Sequence, residues 1–270
     1  MNDYFKSDCT QCFGLCCVAL PYFKSADFPV NKDSGEPCQN LCSDNRCQVH
    51  DKLRKKGFRG CVSYECFGAG QYVSQRMYDG ADWRNNPECA AEMFAVFPRV
   101  QQLHEMLWYL NHAISLKETQ PFHSSLQDIY EETFELTMAE PQEILKLDIV
   151  VHRSKVNDLL LKTSEVYRGN VIINNKKKRL KKGLDYLGAN LKGADLKGES
   201  LRGTLLIAAN LRHADLRKTD LIGADLRDAD LSHANLTGAI FLTQSQINAA
   251  KGNTHTKIPN YLKKPEHWLN

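Results

Sequence analysis

No stretch of this sequence approaches eighteen consecutive apolar residues, so it holds no candidate for a membrane-spanning helix. Its first residues, MNDYFKSDCT, lack the basic-then-apolar layout of a secretory signal, and a cytoplasmic location with reduced thiols is expected. Charge of one sign is also missing. With 35 Lys and Arg against 32 Asp and Glu, a net charge of +3 and 25% charged residues, the chain reads as soluble and globular, and a nucleic-acid partner is not expected. Absent too are the G-x-S-x-G elbow, the P-loop, G-x-G-x-x-G and H-E-x-x-H, which leaves no enzyme class to read directly. A catalytic cysteine would need a positioned base, and none is identifiable. His104, His112 and His123 make no Glu-x-x-His or His-x-x-x-His pair, with Glu105, Glu131, Glu132 and Glu135 counted in. They are expected at the surface or the edge of the core.

Cysteine, by contrast, is plentiful and unevenly placed. Nine of the ten cysteines precede Phe67, namely Cys9, Cys12, Cys16, Cys17, Cys38, Cys42, Cys47, Cys61 and Cys66, with Cys89 outlying. Close thiol pairs on turns can converge on a soft or borderline metal and close a tetrahedron. In a cytoplasmic chain this favours metal binding over a disulfide framework or idle thiols. The order C-x-x-C-x-x-x-C-C, then PCxxL, DxRCxVH and GCxxYxCFG, resembles the zinc- or iron-chelating domain family named for its CxxCxxxCC signature. By that resemblance the metal ligands are Cys9, Cys12, Cys16, Cys17, Cys38, Cys47, Cys61 and Cys66, while Cys42 and Cys89 fall outside the pattern. Eight thiolates suit two four-coordinate zinc sites or, alternatively, an iron–sulfur cluster with spare ligands. His50, three residues after Cys47, is read as a neighbour of the site more than a ligand. The basic segment DKLRKKGFRG can lower nearby thiol pKa values, although a solvated loop accounts for it equally well. Gly14, Gly57, Gly60, Gly68 and Gly70 fit the tight turns that present ligands.

From Glu88 to Arg168 the pattern becomes helical. Met93, Val96, Val100, Leu103, Leu107, Leu110 and Ile114 draw one apolar stripe, on a helix expected to begin near Arg99 because Pro98 interrupts it. Ser124-x-x-Gln127 predicts a capping box opening a second helix to about Met138, and Pro141 opens a third to about Tyr167. Six cations in the seven residues Lys176–Lys182 are expected as a solvated linker.

The last third repeats every five residues. From Ala189 the chain reads ANLKG ADLKG ESLRG TLLIA ANLRH ADLRK TDLIG ADLRD ADLSH ANLTG AIFLT, with Leu or Phe at each centre from Leu191 to Phe241. That period matches neither a helix nor a strand, and signals units that bury apolar residues only by stacking. The pattern A(D/N)LXX resembles the pentapeptide-repeat family, which implies a right-handed quadrilateral β-helix of about three coils, with Leu and the preceding Ala inward. If one coil is twenty residues, Arg202, Ile222 and Leu242 stack, as do Lys192 with Arg212 and Lys197 with Arg217. Leu205, Ile207, Ile222, Ile240 and Leu242 break the polar exterior, and this side is expected to dock on the rest of the chain or on a second copy as a homodimer. In the tail Ser245 is expected to cap a short helical turn ended by Gly252, with Tyr261 and Trp268 anchoring a cover for the open coil edge.

A mixed α + β chain is therefore expected. Residues 1–87 form a Cys-rich metal-binding module, 88–170 a helical segment, 171–183 a basic linker, 184–243 the β-helix and 244–270 a cap. The leading function is a metal-stabilised, non-enzymatic scaffold that presents the repeat to a protein partner. Some pentapeptide-repeat proteins protect DNA gyrase by imitating duplex DNA, so antibiotic resistance or topoisomerase protection is the alternative that the resemblance implies. Seven Lys or Arg against eight Asp or Glu between Leu184 and Thr243 make this repeat a poor anionic mimic. A third reading is an iron–sulfur or redox enzyme using the cysteines.

Overall fold

The architecture is that of a computed structural model, which describes residues 3–169, 183 and 185–269. The basic run Lys176–Lys182 lies outside the described residues. The chain divides into two compact units, Met1–Ser115 with Phe122–Leu160, and Leu116–Pro121 with Leu161–Asn270.

The first unit is built from helices and irregular loops. Short helices α1 (Leu15–Ala19), α2 (Arg59–Val62) and α3 (Ala69–Tyr72) lie in the cysteine region. They are followed by α4 (Pro87–Ile114), α5 (His123–Thr137), α6 (Pro141–Lys146) and α7 (Ile149–Gly169), the last of which continues into the second unit. The expected break at Pro98 does not occur, because α4 starts at Pro87 and runs through Pro98. An interior proline costs about 3 kcal/mol, whereas each large apolar side chain buried contributes roughly 1.5–3 kcal/mol. Met93, Val96 and Phe97, all buried, pack with Leu15, Val18, Ala69 and Val73 in one core, so keeping this turn helical wins.

His104 and His112 are fully buried rather than at the core edge. His104 Nδ1 lies 3.0 Å from the Phe67 carbonyl, and burial lowers its pKa to about 4. The helix expected from Pro141 to Tyr167 is two helices. Leu147 turns extended after α6, and Asp148 Oδ1 then accepts from the N–H groups of Val150 and Val151 to start α7. No side chain caps α5, which opens at His123, so the expected Ser124 box is not formed.

In the second unit the backbone meets itself every twenty residues. Parallel bridges pair Asp185 with Leu205, Asn190 with Asn210, Asp195 with Asp215, and so on to Asp220 with Ile240. Each position of the five-residue unit has its own physical task. The central leucines from Leu196 to Leu236 and the alanines from Ala209 to Ala239 are buried together in one core. The Asp or Asn before most of the leucines accepts from the N–H two residues on, as Asn210 does from Arg212, Asp215 from Arg217 and Asp230 from Ser232, which closes an Asx turn. The last position is left-handed, with positive φ at Gly188, Gly193, Gly198, Gly203, Ala208, His213, Lys218, Gly223, Asp228, His233 and Gly238.

That last property overturns the expected architecture. The right-handed quadrilateral β-helix is not seen. Among the described residues no strand or sheet forms, and only isolated bridges link successive turns. A strand needs several consecutive extended residues in a ladder. An Asx turn and a left-handed residue in nearly every five leave no room for one. The regular elements are helices, joined to a stack of turns.

Leu242 and Ile240 are buried within the chain, while Leu205 stays 44% exposed. In the tail Thr243, rather than Ser245, caps α8 (Gln244–Ala249), through a capping box with Gln246. The tail then bridges back, Lys251 to Asp230 and Lys257 to Asn235. Tyr261 donates to the Ala239 carbonyl at 3.2 Å.

An L-residue in the left-handed region costs about 1–2 kcal/mol, part of which glycine returns as chain entropy. Ala208→Gly, at φ 56, is therefore expected to raise stability by about 0.5–1 kcal/mol. Gly203→Ala, at φ +61 with nothing near its added Cβ, should lower it by a similar amount. Thermal melts of the two variants check both signs.

Candidate metal centre

The cysteine region owes its shape to a few contacts at positions of special geometry. Gly14, left-handed at φ 68, starts α1, and α1 sets Cys16 and Cys17 on neighbouring faces about 100° apart. The Cys38 N–H donates to the Cys17 carbonyl at 2.9 Å, and that of Lys32 to the Tyr22 carbonyl at 2.8 Å. An antiparallel bridge joins Leu41 and Cys47. The Phe28 ring stacks on Tyr22 with centroids 4.4 Å apart. Its edge occupies the space where a Cβ on Gly60, next to Cys61, would stand. Lys32, 5% exposed, aims its ammonium at the carbonyls of Val18, Asp33 and Glu36 at 2.9–3.1 Å, holding this loop against the end of α1.

These elements sort the eight predicted ligands into two neighbourhoods. Cys12, Cys16 and Cys66 pack around the core of Leu15, Val18 and Ala69. Cys17, Cys38 and Cys61 pack with Tyr22 and Phe58 in a separate cluster. Neighbouring sulfurs relate the remaining two to these clusters. Loss of water around its sulfur raises the Cys9 thiol, with Cys66 adding to the shift. The Cys47 thiol is raised chiefly by its hydrogen bond with Cys17. Two adjoining groups result, Cys9, Cys12, Cys16 and Cys66 on one side and Cys17, Cys38, Cys47 and Cys61 on the other, with Cys17 also bonded to Cys16 and Cys9 also influenced by Cys47. They adjoin where Cys16 and Cys17 Sγ are 3.9 Å apart.

Burial pushes the Cys12 thiol up to about 11, against a partial pull from the Leu15 amide. Burial, then Cys38 and Cys47, push Cys61 up to about 11. None of the Lys or Arg side chains of DKLRKKGFRG is among the main influences on these two thiols, which fits the solvated-loop reading of that segment. Among the described residues no group of three or more Cys, His, Asp or Glu stands closed around a metal position. All ten cysteines are free thiols.

The donor chemistry nonetheless suits a soft or borderline metal, and one further observation bears on fit. Gly70 sits within α3, not in a turn, and a Cβ there would come 2.7 Å from Cys12 Sγ and 3.9 Å from Cys66 Sγ. The glycine keeps room for the sulfurs. Sequence reasoning missed the residues that support them. Tyr22 donates to Cys38 Sγ at 3.2 Å, the Asn40 N–H points at the same sulfur at 3.4 Å, and Ser7 Oγ lies 3.0 Å from Cys66 Sγ. The partly buried Tyr64 phenol stands beside Cys16, Cys66 and Cys12. Only its place in GCxxYxC hinted at this. His50 is exposed and 3.9 Å from Asp51, and Cys89 donates to the Asn86 carbonyl at 3.1 Å.

A protein-family model described as pentapeptide repeats matches residues 188–221 and 205–241, with 8 copies. The uncharacterized protein YybG of Bacillus subtilis (strain 168) is 60% identical over 263 residues, covering 97% of this chain and 94% of that protein. Among the described residues no helix is long and apolar enough to cross a membrane. The chain belongs to the family of YybG and carries pentapeptide repeats in its C-terminal region.

Proposed function

We propose that this is a metal-stabilised interaction protein, in which the cysteine region holds two metal ions and the stacked turns present ordered side-chain columns to a protein partner. The observation that supports the metal half is the gathering of the thiols into two adjoining clusters, around Cys12, Cys16 and Cys66 and around Cys17, Cys38 and Cys61. Each set supplies the four sulfurs of a closed structural site, with zinc as the expected ion and an iron–sulfur cluster as the alternative. A bound metal would supply folding energy to a region whose own core is small.

The interaction half rests on the outer face of the repeat. There Arg212 pairs with Asp230 at 3.1 Å and Arg227 with Asp225 at 2.6 Å. Charges neutralised and held in columns offer a patterned, near-neutral surface, which suits a protein better than a phosphate backbone.

Metal analysis of anaerobically purified full-length protein tests the first half. About two equivalents of zinc are expected from two four-thiolate sites, whereas acid-labile sulfide with a visible absorption band selects the cluster. Protein that contains no metal, and whose melting is unchanged by a strong chelator, would sink the reading.

A further inference from the structure

The second unit carries an unusual column of imidazoles. His213, His233 and His255 are all exposed. Their rings lie as near-parallel plates, with centroids 4.6 Å apart and 14° between planes for the first pair, and 4.8 Å and 9° for the second. The fold builds this column. His213 and His233 occupy the left-handed last position of units twenty residues apart, at φ 59 and 61, and Gly193 holds the same slot one turn earlier. The tail supplies the third ring, since Asn253 Oδ1 accepts from the N–H groups of both His233 and His255 at 3.2 and 3.1 Å.

The spacing is that of successive backbone turns, and it brings neighbouring imidazoles close enough to share one ion at about 2.0–2.1 Å per nitrogen. Among the described residues no hydrogen bond occupies a ring nitrogen of any of the three. The rings are parallel, so each must swing about its side-chain torsions to aim a nitrogen at a common ion, a change open to exposed side chains on the nanosecond scale. Arg212 and Asp230 are the charged groups acting on His233, with the flanking histidines. Neutral imidazole is the form that ligates.

We propose that the His213–His233–His255 column is a surface binding site for a divalent transition-metal ion of the nickel, copper or zinc class. Imidazoles of adjacent turns hold the ion, and water completes its coordination. The site is independent of the cysteine region.

The test is calorimetric titration of Ni²⁺ into full-length protein whose cysteine region is already metal-replete, comparing wild type with His233→Asn, His213→Asn and His255→Asn. Asparagine tolerates the left-handed backbone, and circular dichroism verifies that each variant folds. His233→Asn leaves two rings separated by about twice the single spacing. It should therefore weaken nickel binding by at least the roughly 10–100-fold that losing a mere supporting partner costs. Either terminal variant keeps one adjacent pair and should lose less. Equal nickel binding by wild type and all three variants overturns the proposal, as does a nickel equivalent that disappears on thiol alkylation instead. Should His233→Asn fail to fold, the double variant His213→Asn/His255→Asn, which also leaves no adjacent pair, reads the same loss.

Discussion

Cys17→Ser is expected to unfold the first unit at temperatures where the wild type is native, with loss of at least one metal equivalent. Structural zinc contributes about 10–16 kcal/mol per site in small domains, and the whole stability of a domain is only about 5–15 kcal/mol. Cys17 also lies where the two thiol sets adjoin, with Cys16 Sγ 3.9 Å away and its carbonyl receiving the Cys38 N–H. Damage at this position should spread to both sets. Cys89→Ser is the internal control. That thiol makes one hydrogen bond, to the Asn86 carbonyl, and its replacement should cost about 0.5–1.5 kcal/mol. Far-UV circular dichroism melts with parallel metal analysis separate the outcomes, and equal melting of the two variants would count against the metal reading.

Trp268→Ala is expected to cost about 3–5 kcal/mol in the second unit. The indole is 1% exposed and belongs to the core of stacked leucines. Its Nε1–H donates to the Ala250 carbonyl at 3.1 Å. The ring also fills the space beside Gly252, where a Cβ would come 2.5 Å from it, so Gly252→Ala should be destabilising as well. The consequence is more than a lost anchor. The tail pairs the last turns through Leu231 N–H to the Lys251 carbonyl and Leu236 N–H to the Lys257 carbonyl. Loosening it exposes backbone edges that recruit other chains. Chemical denaturation should show the stability loss, and light scattering a rise in association. A variant that stays monomeric with wild-type stability would show that the tail does not close the stack.

Much of the second unit was legible in residue order, and for a definite reason. A five-residue period repeated without slippage allows one register, so the inward leucines can be read by counting, while the stacking of positions twenty apart comes from the four-sided coil that the family resemblance implies. What the counting could not reveal was the backbone within each unit. The glycines ending many units hinted at left-handed turns, but Ala208, His213, Lys218, Asp228 and His233 share that conformation without sharing the hint. The extended segments were therefore overestimated, and a β-helix was expected where single bridges stand.

The first unit was less legible because its local signals lose to packing. Pro98 marks a helix start by propensity, yet burial of Met93, Val96 and Phe97 carries α4 eleven residues further back, to Pro87. Two histidines in that helix lie inside the core, where a polar ring is costly without a partner. His104 meets part of that cost through its Nδ1 and the Phe67 carbonyl, a contact across thirty-seven residues that no local pattern announces, while its Nε2 is buried with no hydrogen-bond partner among the described residues.

By itself the sequence determined the register of the repeat, since identical units at one spacing can bury their leucines only by stacking in step. It also determined that sulfur is concentrated ahead of the helices. Which sulfurs share a neighbourhood was decided by tertiary structure alone. Cys16 and Cys17, adjacent in sequence, pack into different clusters from the turn of α1 while their sulfurs stay 3.9 Å apart, and Gly70 leaves room for the sulfurs of Cys12 and Cys66. The column of three histidines has the same origin. Its members are spread over forty-two residues, and they meet because successive turns, and then the tail, return the chain to one face.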